Sequence, residues 1–147
     1  VEALLQAGAE LPAWTKYEGS ALHHAAGGGH AELTALLLLR GARTEERDAS
    51  GRTALHWAAQ SGRVEAVKAL LDGGADTEAK DVTERTALHW AAENAHAEVA
   101  EALLAANADL QAKDVFWRTP RGVAVHKDNA AVGRVLLAAE STAMVRT

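Results

Sequence analysis

Thr53-Ala54-Leu55-His56-Trp57-Ala58-Ala59 decides the fold, because its core comes back along the chain at a fixed interval. Ala21-Leu22-His23-His24-Ala25-Ala26 precedes it and Ala87-Leu88-His89-Trp90-Ala91-Ala92 follows, which places the leucines 33 residues apart. A further step lands on Pro120-Arg121-Gly122-Val123-Ala124-Val125, where the motif has decayed. Two other landmarks hold the same register. The leucine pairs are Leu4-Leu5, Leu37-Leu38, Leu70-Leu71, Leu103-Leu104 and Leu136-Leu137, and after them stand Gly8, Gly41, Gly74 and Asn107. A period of this length marks stacked supersecondary units. Thr53 and Thr86 supply hydroxyls suited to capping a helix start. Small residues between Ala54 and Ala59 allow neighbouring helices to approach closely. Val64, Val67, Leu70 and Leu71 recur at helical spacing and define one apolar face of a second helix. Gly74 then ends it, and Gly and Asn are the residues that best tolerate a left-handed helix terminus.

This repeat resembles the ankyrin repeat over roughly residues 1–140. The resemblance implies an all-α solenoid in which each unit is a β-turn tip followed by two antiparallel helices. The expected organisation is a single domain spanning 1–147. It divides into a partial repeat at 1–14, full repeats at 15–47, 48–80 and 81–113, a degenerate capping repeat at 114–140, and a tail at 141–147. Val1 falls inside a helical pattern, so the sequence reads as an excerpt with at least one more helix before it.

Composition agrees with a soluble globular chain: of 147 residues, 48% are hydrophobic and 24% charged, the balance of a domain that buries a core. The absence of cysteine excludes disulfides and thiolate metal sites and fits an intracellular compartment, cytoplasm or nucleus. No apolar stretch is long enough to span a membrane, and no secretory leader is recognisable. A net charge of −5 argues against direct contact with nucleic acid, whose binding domains are basic.

Reactive chemistry finds little support. The resemblance implies that His23, His56 and His89 bond the turn backbone and tether repeats. His24, His30, His96 and His126 lack a metal-ligand spacing. Gly27-Gly28-Gly29 has no following Lys-Ser or Lys-Thr, so it reads as an inter-helix loop rather than a phosphate loop. Glu32, Glu65 and Glu98 form an exposed row. The sequence thus predicts no catalytic residue, no metal and no cofactor.

What remains is surface. In an ankyrin solenoid the tips and first helices line a concave face, which assigns Tyr17, Arg52, Val82, Thr83, Arg85, Glu93, Asn94, Val115, Phe116, Trp117, Arg118, His126 and Lys127 to partner contact. Two of these features stand out. The tip Asp114-Val115-Phe116-Trp117-Arg118 carries three large apolar residues where turns favour Gly, Asn, Asp and Ser. Either it is a docking knob, or an aromatic folds back over the cap. Cations recur as Arg47 with Arg52, Lys80 with Arg85 and Lys113 with Arg118, beside Asp48, Asp81 and Asp114. Such a ladder either steers an acidic partner or braces the turns. Trp57 and Trp90 face the groove or pack between repeats.

The expected function is a non-catalytic scaffold for a protein partner, monomeric in isolation. At its narrowest the resemblance is to ankyrin domains of transcription cofactors that grasp an ETS-type DNA-binding domain, with Val82, Thr83, Arg85, Val115 and Phe116 as contacts; Trp117 and Arg121 depart from that pattern. A spacer within a longer array, an accessory domain of an enzyme, and an engineered binder are the alternatives.

Overall fold

The computed structural model describes residues 20–146, and within them every regular element is a helix. Four helix pairs follow one another. They are α1 (Ala21–Gly27) with α2 (Ala31–Leu39), α3 (Ala54–Ser61) with α4 (Val64–Asp72), α5 (Ala87–Glu93) with α6 (Ala97–Ala105), and α7 (Pro120–His126) with α8 (Ala130–Arg146). First helices pack on first helices and second helices on second helices, giving two parallel rows. This is the all-α ankyrin solenoid expected from the repeat.

Sequence periodicity explains the packing directly. Ala25, Ala26, Ala58, Ala59, Ala91, Ala92 and Ala124 are buried between the first helices. Only a methyl group fits where backbones approach so closely. Leu37, Leu70, Leu103 and Leu136, the first member of each leucine pair, are fully buried along the second row. The second member is half-buried in the inner repeats and exposed at Leu137. Leu4, Leu5 and Gly8 lie outside the described residues.

Each first helix opens on a hydroxyl residue, and the repeat histidine completes the cap. Thr53 donates its backbone N–H to His56 Nδ1 at 3.0 Å, and its hydroxyl lies 2.9 Å from the same nitrogen. Thr86 treats His89 in the same way, and Ser20 treats His23 likewise. Since Nδ1 accepts, the proton must sit on Nε2. From there it is donated forward to the next tip: His23 to the Arg52 carbonyl, His56 to that of Arg85, and His89 to that of Arg118, at 2.8–2.9 Å. Burial pushes the pKa of all three down, outweighing the raising effect of the carbonyl each one meets. They are neutral tethers. In the repeat of the fourth helix pair this register holds Gly122.

The stop signal behaves similarly. Gly41, Gly74 and Asn107 take φ of 94°, 89° and 65°, which terminates α2, α4 and α6 after 9 residues each. At the same register the last repeat has Glu140. Glutamate is a good helix former with no left-handed preference, so α8 runs on for 17 residues. The segment 141–147, expected as a tail, is therefore helical through Arg146. Glu140 also accepts from Arg121 at 3.1 Å, and Arg121 occupies the place of the repeat leucine.

Candidate protein-docking surface

Each tip is folded around one buried aspartate. Asp48 Oδ1 accepts the backbone N–H groups of Ser50 and Arg52 at 2.9 Å. Asp81 and Asp114 do the same for Thr83 with Arg85 and for Phe116 with Arg118. The second oxygen accepts an indole N–H, from Trp57 onto Asp48 at 2.8 Å and from Trp90 onto Asp81 at 2.9 Å. Burial alone would push these carboxyls up. The Arg52 backbone N–H and Trp57 indole on Asp48, and the Thr83 hydroxyl and Arg85 N–H on Asp81, more than reverse that and hold both below the usual carboxylate range.

This geometry resolves the position of the tryptophans. Half-buried Trp57 packs edge-on against His23 and His24 of the preceding repeat and half-buried Trp90 packs against the core, with the Arg52 guanidinium between the two indoles at 5.9 and 5.6 Å from the ring centroids. Arg85 covers Trp90 at 5.1 Å. Cation–π contacts of this kind are worth about 0.5–2 kcal/mol each. The result is an alternating stack of indoles and guanidinium groups.

The cation ladder is committed within the chain. Arg52 pairs with Asp48 at 3.4 Å and donates to Gln60 at 2.8 Å. Arg85, only 11% exposed in its side chain, is held by Glu93 and by Asp114. Arg118 also pairs with Asp114, at 3.4 Å, and Lys127 with Glu93, at 3.7 Å. Arg47 donates to the carbonyls of Gly51 and Lys80, and Lys80 to that of Lys113. Bracing is what these contacts do. Arg47, Lys80 and Lys113 nonetheless remain exposed, so their field still reaches solvent.

The apolar tip residues are not used internally. Val82 is 68% exposed, Val115 44%, Phe116 67% and Trp117 80%, so neither aromatic folds back over the cap. Arg118 lies 5.0 Å from the Phe116 ring and Lys113 5.9 Å from the Trp117 ring. Trp117 occupies the register of Gly51, and its φ of 62° matches that of Gly51 at 73° and Glu84 at 59°. A side chain in this conformation costs roughly 1–2 kcal/mol relative to glycine. Two hollows adjoin the tips. One of about 380 Å³ is walled by Val82, Thr83, Arg85, Trp90 and Phe116. The other, of about 330 Å³, is walled by Arg52, Trp57, Gln60, Ser61 and Asn94.

Of the remaining positions assigned from sequence, Asn94, His126 and Lys127 are exposed, and Asn94 donates to the Trp90 carbonyl at 3.0 Å. Tyr17 lies outside the described residues. Sequence reasoning missed a second tether. Arg63, His96 and Asn129, spaced at the repeat interval, donate backwards to carbonyls in the last turn of the preceding repeat's first helix, at Gly27, Gln60 and Ala92 with Glu93. Its signal was a constant position rather than a constant residue.

Among the described residues no His, Cys, Asp or Glu cluster could hold a metal ion, and no helix is long and apolar enough to cross a membrane. The sequence matches the model for ankyrin repeats (3 copies) over residues 1–81 and 22–114. The chain belongs to the ankyrin-repeat family, whose domains are generally non-catalytic modules for protein–protein interaction. A search of curated proteins found no match.

Proposed function

We propose that this chain is an intracellular scaffold, monomeric in isolation, that binds a folded protein partner through its second and third described tips and the adjoining concave face. The observation that carries the reading is Trp117. An aromatic side chain stands almost fully in water on a backbone conformation that favours glycine. Its local cost has no internal return beyond one exposed cation contact, and exposed aromatics of this kind supply interface hot spots.

Val82, Val115 and Phe116 extend the knob. Thr83, Arg85, Glu93 and Arg118 shape it by holding the turns, while Arg52 and Asn94 shape the groove beside it. Across the three tips Arg47, Arg52, Lys80, Arg85, Lys113 and Arg118 outnumber Asp48, Asp81, Glu84 and Asp114, in a chain whose net charge is −5. That polarity favours an acidic partner surface and speeds encounter. A role as a transcription cofactor gripping an ETS domain is one form of this reading.

The test joins two measurements. Phe116→Ala with Trp117→Gly is expected to leave thermal unfolding within a few degrees of wild type and to abolish partner capture from cell extract, read by mass spectrometry. Unchanged capture, or a large fall in melting temperature, counts against the reading. Calorimetry with an isolated ETS domain at micromolar concentration decides the narrower form.

A further inference from the structure

The hollow of about 380 Å³ gathers residues from three successive tips: Arg52 from that of Asp48, Val82, Thr83 and Arg85 from that of Asp81, and Phe116 from that of Asp114. The Arg52 and Arg85 guanidinium groups meet at one indole, 5.6 and 5.1 Å from the centroid of Trp90. Each is held from one side. Arg52 donates through Nη1 to Gln60, with Nε beside Asp48. Arg85 donates through Nη1 to Glu93, with Nε beside Asp114. Among the described residues neither Nη2 makes a hydrogen bond, and neither is closed off from solvent.

The neighbouring carboxylates leave these donors unanswered. Asp48, Asp81 and Asp114 are buried. Oδ1 of each accepts backbone N–H groups of its own tip, and Oδ2 of Asp48 and of Asp81 accepts an indole N–H. The Thr83 hydroxyl donates to Asp81 at 2.7 Å, and the Ser50 carbonyl accepts from Val82. A guanidinium carries donors and no acceptor. The walls beside the two arginines are apolar and open, for Val82 and Phe116 are both largely exposed. Free cationic donors between apolar walls suit an acceptor-rich group on a short apolar stem.

We propose that this hollow receives an acidic side chain, Asp or Glu, of the protein partner. Its carboxylate accepts from Nη2 of Arg52 and of Arg85, and its stem lies against Val82 and Phe116. The inference rests on the tips being the docking surface and names the residue class read there. Hydrogen bonds from a guanidinium to an ionised acceptor are about twice as strong as neutral ones. An amide in the same place would bring its N–H groups towards two cations and find no acceptor. The residue beside the carboxylate is apolar, since Val115 and Trp117 stand exposed on the same tip as Phe116. The chain's net charge of −5 opposes acidic ligands in general, so a preference for a carboxylate at one position must arise locally.

The probe is a random-peptide phage library panned on the intact chain, followed by synthesis of the recovered peptides with each Asp and Glu changed in turn to its amide. One such change is expected to weaken binding to wild type roughly tenfold or more. The same change is expected to act at least about threefold more weakly on Arg52→Gln, a coupling of the size that contacting residues show. Val82→Glu, at an exposed position, keeps the test open should Arg52→Gln not fold. It sets a like charge at the mouth and is expected to favour the amide peptide over the acid. Peptides that need Phe116 and Trp117 yet tolerate every amide change overturn the acidic subsite and leave the tip surface standing. An amide effect of equal size in wild type and both variants overturns it, because the carboxylate would then sit elsewhere. Recovery of no peptide overturns it as well, while partner capture by the Phe116/Trp117 variant still decides the tip surface.

Discussion

Replacing Trp117 with glycine separates the cost of this residue from its use. At φ 62° the side chain destabilises the turn by roughly 1–2 kcal/mol relative to glycine. Glycine gives part of this back through the freedom it adds to the unfolded chain, about 0.5–1 kcal/mol. The Lys113 contact, exposed and 5.9 Å from the ring, removes about 0.5 kcal/mol more when lost. The sum lies between about 0.5 kcal/mol of destabilisation and about 1 kcal/mol of stabilisation, or a change in Tm between a fall of about 2 °C and a rise of about 5 °C for a domain of this size. Binding should move the other way, by about 2 kcal/mol or more if Trp117 is a hot spot, which is roughly a thirtyfold loss of affinity. Glu84→Gly is the internal control. Its backbone has φ 59°, so the same backbone contribution is expected without the loss of the Lys113 contact, and with little effect on capture. Thermal unfolding followed by circular dichroism reads the first quantity, and titration of the captured partner the second. A fall in Tm of several degrees for Trp117→Gly would refute the reasoning, because the tryptophan would then be a clamp. Equal loss of binding in both variants would show that turn stiffness, not the indole, matters.

Three further outcomes are expected. Because the folded-state pKa values of His23, His56 and His89 lie below their ordinary 6.5, unfolding binds protons, so stability is complete above pH 6.5 and falls as pH drops towards the folded values. The slope is at most about 1.4 kcal/mol per pH unit for each histidine, and urea unfolding at several pH values should show it shallower in His56→Asn. The aspartates, also lowered, contribute stability that is lost only nearer pH 4 and below. In denaturant unfolding, Leu70→Ala should cost about 2–5 kcal/mol and Leu137→Ala less than about 1 kcal/mol, since the first is fully buried and the second 46% exposed. Glu140→Gly should shorten α8 towards the length of its counterparts, read as lost helical signal in circular dichroism.

The fold was legible because its determinants repeat. A methyl group, a leucine, a capping threonine and a left-handed stop each recur at one spacing, and every recurrence points to the same local geometry. The tip knob was legible for the opposite reason: Val115, Phe116 and Trp117 violate turn chemistry. What stayed hidden were partnerships between different residue types. Nothing in the order of residues announces that Trp57 and Trp90 bond the aspartate nine positions earlier, or that Arg85 is enclosed by Glu93 and Asp114. The backward tether at Arg63, His96 and Asn129 escaped because three unlike side chains reach the same kind of carbonyl. The helical end at 141–146 was missed because a missing stop is harder to see than a present one.

The forward-pointing imidazole makes these units directional, although they look like interchangeable bricks. Each one carries a part that serves only the brick laid after it. Shuffling an inner unit to the end would strand a ring N–H with nothing to hold, at about 1–3 kcal/mol if it stays dry. A unit's spelling therefore registers its neighbour.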